Sequence, residues 1–261
     1  MWRKSFRLPP RWRAVAGSLF AAVVYPAWTF GAVFVVGAAI TSLVVYLSAF
    51  QLGITLDGTQ SLQLMVINMA AYIVGLALLL TEPYALRRMT IRAVRQLLGI
   101  ARRVHLRDLG YAILSWSAYI VIAYTVTVCI ATVLPSIDMG QRQDIGFATN
   151  GTGLDKLYAF ILIVMIAPLV EELIFRGYLY GSLRRRMPWW LGAVITSVLF
   201  GFVHGQWNVG IDVFMMSMVM CYLREYTGAI WSGVMVHMLK NSLAYYLLFF
   251  APPWVLKLLG A

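Results

Sequence analysis

The sequence predicts an all-α integral membrane protein, a polytopic bundle of about seven transmembrane helices around an intramembrane polar cavity. Three observations lead there. Hydrophobic residues make up 61% of the 261-residue chain and charged residues only 12%, a balance too apolar for an ordinary soluble domain. Uncharged runs recur at about the 20-residue length that a ~30 Å hydrocarbon core demands. The basic residues behind the formal charge of +11 sit in short clusters beside those runs, as cytoplasmic loops do. They are not spread over a polar surface, so the charge implies a lipid bilayer as partner and no nucleic acid.

The elements follow in order. Arg3, Lys4, Arg7, Arg11 and Arg13 precede an uncharged run from Ala14 to Leu56, far longer than the ~7–15-residue apolar region of a signal peptide. It reads as an interfacial lead-in and a retained anchor, with Pro26 near the join and Trp2, Trp12 and Trp28 as an aromatic belt. The length rule places helices at 28–52, 62–84, 109–134, 157–183, 189–204, 211–223 and 229–250. The fifth and sixth are short and parted by a turn at 205–210, so tilt or incomplete crossing is expected.

Charge asymmetry orients them. The N-terminal arm, the arginines at 87, 88, 92, 95, 102, 103 and 107, and Arg184-Arg185-Arg186 all fall on one side, which should be cytoplasmic. The 53–61 loop, with Asp57 alone, and the 135–155 loop, with mixed charge, fall outside. An inner or plasma membrane protein with a cytoplasmic N-terminus is expected. The stretch 90–107 reads either as an amphipathic helix on anionic lipid or as a basic loop. Cys129 and Cys221 lie in apolar runs and read as buried thiols rather than a disulfide. No internal repeat divides the chain. It reads as one membrane domain, 1–261, with residues 1–156 a supporting scaffold and 157–250 the functional core.

Charge inside that core marks the candidate site. Glu171, Glu172 and Arg176 interrupt the fourth span, although a charge at a helix centre costs roughly 2.5–3.5 kcal/mol on insertion scales. An apolar residue returns only about 0.3–0.6 kcal/mol, so these charges must pair or face a wet cavity. Glu172 and Arg176 are four apart and share a helix face; Glu171 points about 100° away and is free for other work. His237 and Asn241 repeat that spacing in the last span, and Phe200 and His204 repeat it in the fifth. The depth ruler sets Glu171, His237 and Asn241 near mid-membrane and His204 about 10 Å further out. Three helices thus offer a carboxylate, imidazoles and a carboxamide, the groups that activate water and stabilise an oxyanion. Lys240 falls near the face of His237 in the middle of an apolar segment; it reads as a contact to substrate or to a carboxylate, or as a sign that the last span sits shallower.

Glu171-Glu172-x-x-x-Arg176, Phe200-x-x-x-His204 and His237-x-x-x-Asn241, in that order and each inside an apolar span, resemble the three motifs of the CAAX protease and bacteriocin-processing family (CPBP, Abi). The resemblance covers roughly 157–248. It implies a glutamate-type intramembrane endopeptidase that uses neither metal nor cofactor and acts on a membrane-associated peptide substrate, prenylated or bacteriocin-like. Carried onto these residues, it makes Glu171 the general base, with His204 holding the water. His237 and Asn241 become oxyanion donors, Glu172 and Arg176 brace the site, and Phe200 packs beside it.

Other chemistries lack their patterns. Glu171, His204 and His237 are acceptable zinc ligands by type, but no His-Glu-x-x-His is present. Ser232 has no Gly-x-Ser-Gly around it, and paired intramembrane aspartates are missing. The run from Met215 to Met220 reads as adaptable packing. Two rival readings stand beside the peptidase: a non-proteolytic bacteriocin self-immunity or membrane scaffold protein, and a small transporter. A transporter would carry internal pseudo-symmetry, which the sequence does not show.

Overall fold

The computed structural model describes residues 31, 39, 60–81, 83–84, 88–139, 141, 147 and 151–252. Apart from residues 31 and 39, the first expected span at 28–52 lies outside the described residues, as do the basic arm before it and most of the 53–61 loop. Seven helices are described: α1 (Gln60–Thr81), α2 (Ile91–Leu98), α3 (Leu106–Val133), α4 (Gly153–Arg184), α5 (Trp189–Phe202), α6 (Trp207–Thr227) and α7 (Trp231–Phe249). Among the described residues there is no strand. By length and composition α3, with 28 residues, and α4, with 32, are able to cross a membrane. α3 turns its apolar side chains outward, with Leu114 71% and Val121 65% exposed, as a helix facing acyl chains should. The chain is a polytopic helical membrane protein.

From α3 onward successive helices run in alternate directions. At one end Arg184 holds Glu225 at 2.8 Å and Ser232 donates to Asp108 at 2.9 Å. At the other, Asn208 donates to the Gln141 carbonyl and Tyr245 to that of Lys156. The arginines at 92, 95, 102, 103 and 184–186 therefore gather at one end of the bundle and Gly151 lies toward the other. The basic end is laced together. Arg102 grips Asp108 with two hydrogen bonds of 2.6 and 2.7 Å, and the Trp231 indole donates to the Arg102 carbonyl.

The Arg-rich stretch resolves into helix α2, and its apolar face does not lie on lipid. Val94, Leu97 and Leu98 are buried, packed on α4 at Gly177 and Gly181. A Cβ at Gly181 would come within 2.5 Å of the Leu97 carbonyl oxygen, and one at Gly177 within 2.9 Å of that of Leu98. Small residues at that spacing let two backbones touch. Thr90 caps the N-terminus and left-handed Gly99 the C-terminus. Arg224 donates to the Gln96 and Leu97 carbonyls that a helix end leaves unpaired.

Several expected boundaries move. α4 begins at Gly153 rather than Leu157, because Thr152 and Asp155 form a capping box. α6 begins at Trp207 rather than Ile211 and runs to Thr227. Gly210 belongs to this helix and is small for a packing reason: its Cβ would meet the Gly201 carbonyl oxygen at 2.9 Å. The turn itself is at Gly205, which has φ +69°. Cys129 and Cys221 are both free thiols; Cys221 is buried as expected, but Cys129 is exposed, on the outward-facing surface of α3.

Candidate active site

Helix α4 is wound unevenly around the paired glutamates. Its turns widen to π geometry at Ile161–Ile166 and again at Leu173–Leu179, with an α-helical segment Ala167–Glu172 between them. Pro168 gives the first widening a cause, since its ring has no N–H and crowds the carbonyl four residues back. One carbonyl of that wide stretch, Ile163, is taken up by the Asn241 carboxamide of α7 at 2.9 Å. Wide turns of this kind reorient successive side chains and gather at functional sites.

The two glutamates then part company. Glu172 is fully buried, as is Arg176, and the two close to 2.7 Å. Gly233 on α7 makes the room, because a Cβ there would stand 3.0 Å from Glu172 Oε2. The Arg176 guanidinium also lies 4.2 Å from the centre of the Phe200 ring, a favourable cation–π arrangement. Phe200, itself buried, stacks edge-on to Phe175, His204 and His237. It is the hub that fixes both imidazoles.

Glu171 faces a cavity of about 440 Å³ that it shares with Tyr72, His204, His237, Lys240 and Asn241. The remaining wall is largely apolar, including Leu162, Ile174, Phe175, Val203 and Leu248, the mixture usual in ligand sites. Tyr72 of α1 donates to Glu171 Oε1 at 3.0 Å. His237 sits between the two carboxylates, with Nδ1 3.3 Å from Glu172 Oε1 and Nε2 3.8 Å from Glu171 Oε2. Its Nδ1–H donates to Glu172, so Nε2 is the atom directed at the Glu171 side. His204 lies in the turn after α5 and its Nδ1 is 2.7 Å from the Phe200 carbonyl. A carbonyl only accepts, so Nδ1 carries the proton and Nε2 is left with its lone pair.

The structure therefore brings Glu171, His204, His237 and Asn241 to one cavity, with Glu172, Arg176 and Phe200 packed behind. His204 reaches that cavity because α5 stops at Phe202 and the chain turns back, which closes the depth gap expected from a straight helix. Asn241 has one amide N–H committed to Ile163 and a second left for the cavity. Tyr72 was not among the residues expected at the site; a phenol in an apolar helix of the supporting half gives no sign of a partner 99 residues away. Lys240 lies 3.7 Å from Asp212, whose other oxygen accepts a short hydrogen bond from Tyr119. Among the described residues no group of three or more His, Cys, Asp or Glu side chains has the geometry of a metal site.

Comparison with known proteins bears on this same segment. Residues 153–243 match the family "Type II CAAX prenyl endopeptidase Rce1-like". An "Uncharacterized 24.3 kDa protein" of Escherichia coli is 34% identical over 94 residues, 34% of this chain and 43% of that protein. The Bacillus subtilis (strain 168) protein named "Putative membrane peptidase YdiL" is 28% identical over 93 residues, 34% of this chain and 38% of that one. The chain thus spans about two fifths of the length of these relatives. No solved structure gives a significant match. The matched segment holds all three motifs, the whole of α4 and the part of α7 that carries His237 and Asn241; over residues 153–243 the chain is similar to the Rce1-like CAAX prenyl endopeptidase family.

Proposed function

We propose that this chain is a membrane endopeptidase of the CAAX type, hydrolysing a peptide bond of a membrane-associated substrate with water activated by Glu171. One observation carries the reading: a carboxylate from α4 and two imidazoles, one from α7 and one from the turn after α5, line one cavity. Each is oriented by a second group: Glu171 by Tyr72, His237 by Glu172, and His204 by the Phe200 carbonyl.

A water between Glu171 and His204 gives a proton to the Glu171 carboxylate as its oxygen attacks the scissile carbonyl. The lone pair on His204 Nε2 accepts a hydrogen bond from the second O–H of that water, which stays on the attacking oxygen, and fixes the direction of attack. Electron density moves to the carbonyl oxygen, where the free Asn241 N–H and an N–H at His237 Nε2 donate to the oxyanion. As the carbon–nitrogen bond breaks, Glu171 passes its proton to the leaving amine. Glu172 and Arg176 keep the His237 ring in register and take no part in bond making. No step calls for a metal or a cofactor. The basic end of the bundle is assigned to the cytoplasmic side, in an inner or plasma membrane, by the bias of arginine toward that side.

The test uses the full chain in detergent with a prenylated CAAX-type peptide and with unmodified membrane peptides. Glu171→Ala should abolish cleavage with the helical fold intact, read by product mass and circular dichroism. A chelator should leave the wild-type rate unchanged. Cleavage by Glu171→Ala at the wild-type rate removes the assigned base; loss with chelator that zinc restores replaces the water chemistry with a metal's.

A further inference from the structure

Lys240 is the cation of this cavity that the hydrolytic scheme leaves without work. It lies mid-way along α7, where an ammonium in an apolar segment costs roughly 2.5–3.5 kcal/mol unless matched. Its match is incomplete. The ion pairs that tie the bundle together close to 2.6 Å (Arg102–Asp108), 2.7 Å (Arg176–Glu172) and 2.8 Å (Arg184–Glu225), whereas Lys240 stands 3.7 Å from Asp212. The other Asp212 oxygen is occupied by the Tyr119 hydroxyl. Asp212 thus steadies the ammonium when the site is empty without consuming it. An ammonium has three donors, and Lys240 contributes to the cavity wall alongside Glu171 and His237.

Position decides what those donors meet. Lys240 follows His237 by three residues, so it sits on a neighbouring face about 4.5 Å further along the helix axis. A peptide whose scissile carbonyl lies at His237 and Glu171 advances about 3.3–3.6 Å per residue when extended. A carboxylate only a few residues beyond the cut then falls within reach of the lysine stem. Glu171 repels any carboxylate that approaches the reacting end, which sorts an anionic group toward Lys240.

We propose that Lys240, steadied by Asp212, which Tyr119 in turn anchors, binds a carboxylate of the substrate close to the scissile bond, and so selects peptides cut near a free C-terminus or beside an acidic side chain. This rests on the endopeptidase reading of the same cavity.

The experiment measures binding first, on the full chain carrying Glu171→Gln, so that affinity is read without turnover. The probe is a fluorescent CAAX-type peptide made as the C-terminal acid, as the C-terminal amide, and as the amide with an internal glutamate. A charge-assisted hydrogen bond predicts that acid binds on the order of tenfold more tightly than amide. Lys240→Met should remove that preference and Lys240→Arg should keep most of it, which separates loss of charge from loss of fold. Tight binding of the internal-glutamate amide assigns the carboxylate to a side chain; weak binding assigns it to the terminus. Equal affinity for all three peptides with Lys240 in place, or a preference that survives Lys240→Met, overturns the proposal. Cleavage by the Glu171-intact chain is a separate readout. Its absence defeats the endopeptidase reading while the affinity ratio still decides Lys240.

Discussion

At the scale of single residues, the site works by giving neighbouring side chains opposite environments. Glu171 and Glu172 are adjacent in sequence, yet one meets a cavity and the other is sealed against Arg176 with no exposure. The sealed carboxylate is oriented at a cost in desolvation that only a close partner offsets. The cavity carboxylate is oriented by a single phenol, Tyr72. Removing that hydroxyl leaves the acid in place but free to rotate. Tyr72→Phe should therefore lower kcat by about tenfold, the value of one hydrogen bond to a charged group, with thermal stability nearly unchanged. Steady-state kinetics beside a melting curve checks it; an unaltered kcat would make the phenol a bystander. The carboxylates and imidazoles were legible from the sequence because charge in an apolar helix needs a reason. Tyr72 was not, because tyrosine is at home in such a helix whether or not it has a task.

At the scale of elements, glycine decides where helices touch. Gly177 and Gly181 on α4 receive α2, and Gly201 and Gly210 bring α5 against α6. The first contact turns an arginine-rich connection into a docked helix whose last carbonyls rest on Arg224. Gly181→Leu drives a branched side chain into the Leu97 carbonyl and should undock α2. Faster limited proteolysis between Arg92 and Arg103, with α4 still helical, is the expected result; unchanged protection there would mean that α2 is held by its other contacts. The spans of α3 and α4 follow from apolar length alone, within a few residues. Gly210 misled for a definite reason: a glycine that marks a turn and a glycine that admits a neighbouring backbone look alike in one dimension. The π turns of α4 were hidden for a similar reason, since Pro168 signals a disturbed helix but not which carbonyls its neighbours will satisfy.

For the whole molecule, the ends of the bundle differ sharply in charge. The basic end is knitted by Arg102, Asp108, Ser232 and Trp231, so the loops that meet there behave as one rigid collar. Such a collar should remain on the side of the membrane where arginine is retained. Single cysteines at positions 92 and 151, in a chain otherwise freed of thiols, should label from opposite faces of sealed vesicles. Labelling of both from one face would refute the proposed orientation.

The brevity of α5 has a last consequence. Its 14 residues rise only about 21 Å, well short of a hydrocarbon layer near 30 Å. Local thinning is one way for lipid to meet a helix that short, and it would lower the headgroup region toward the turn where His204 lies. The proposed hydrolysis would consume a molecule that the bilayer excludes, and a dimple above α5 would bring solvent toward the cavity. On that proposal the stunted helix would serve as a supply line, built from hydrophobic mismatch rather than from any polar group.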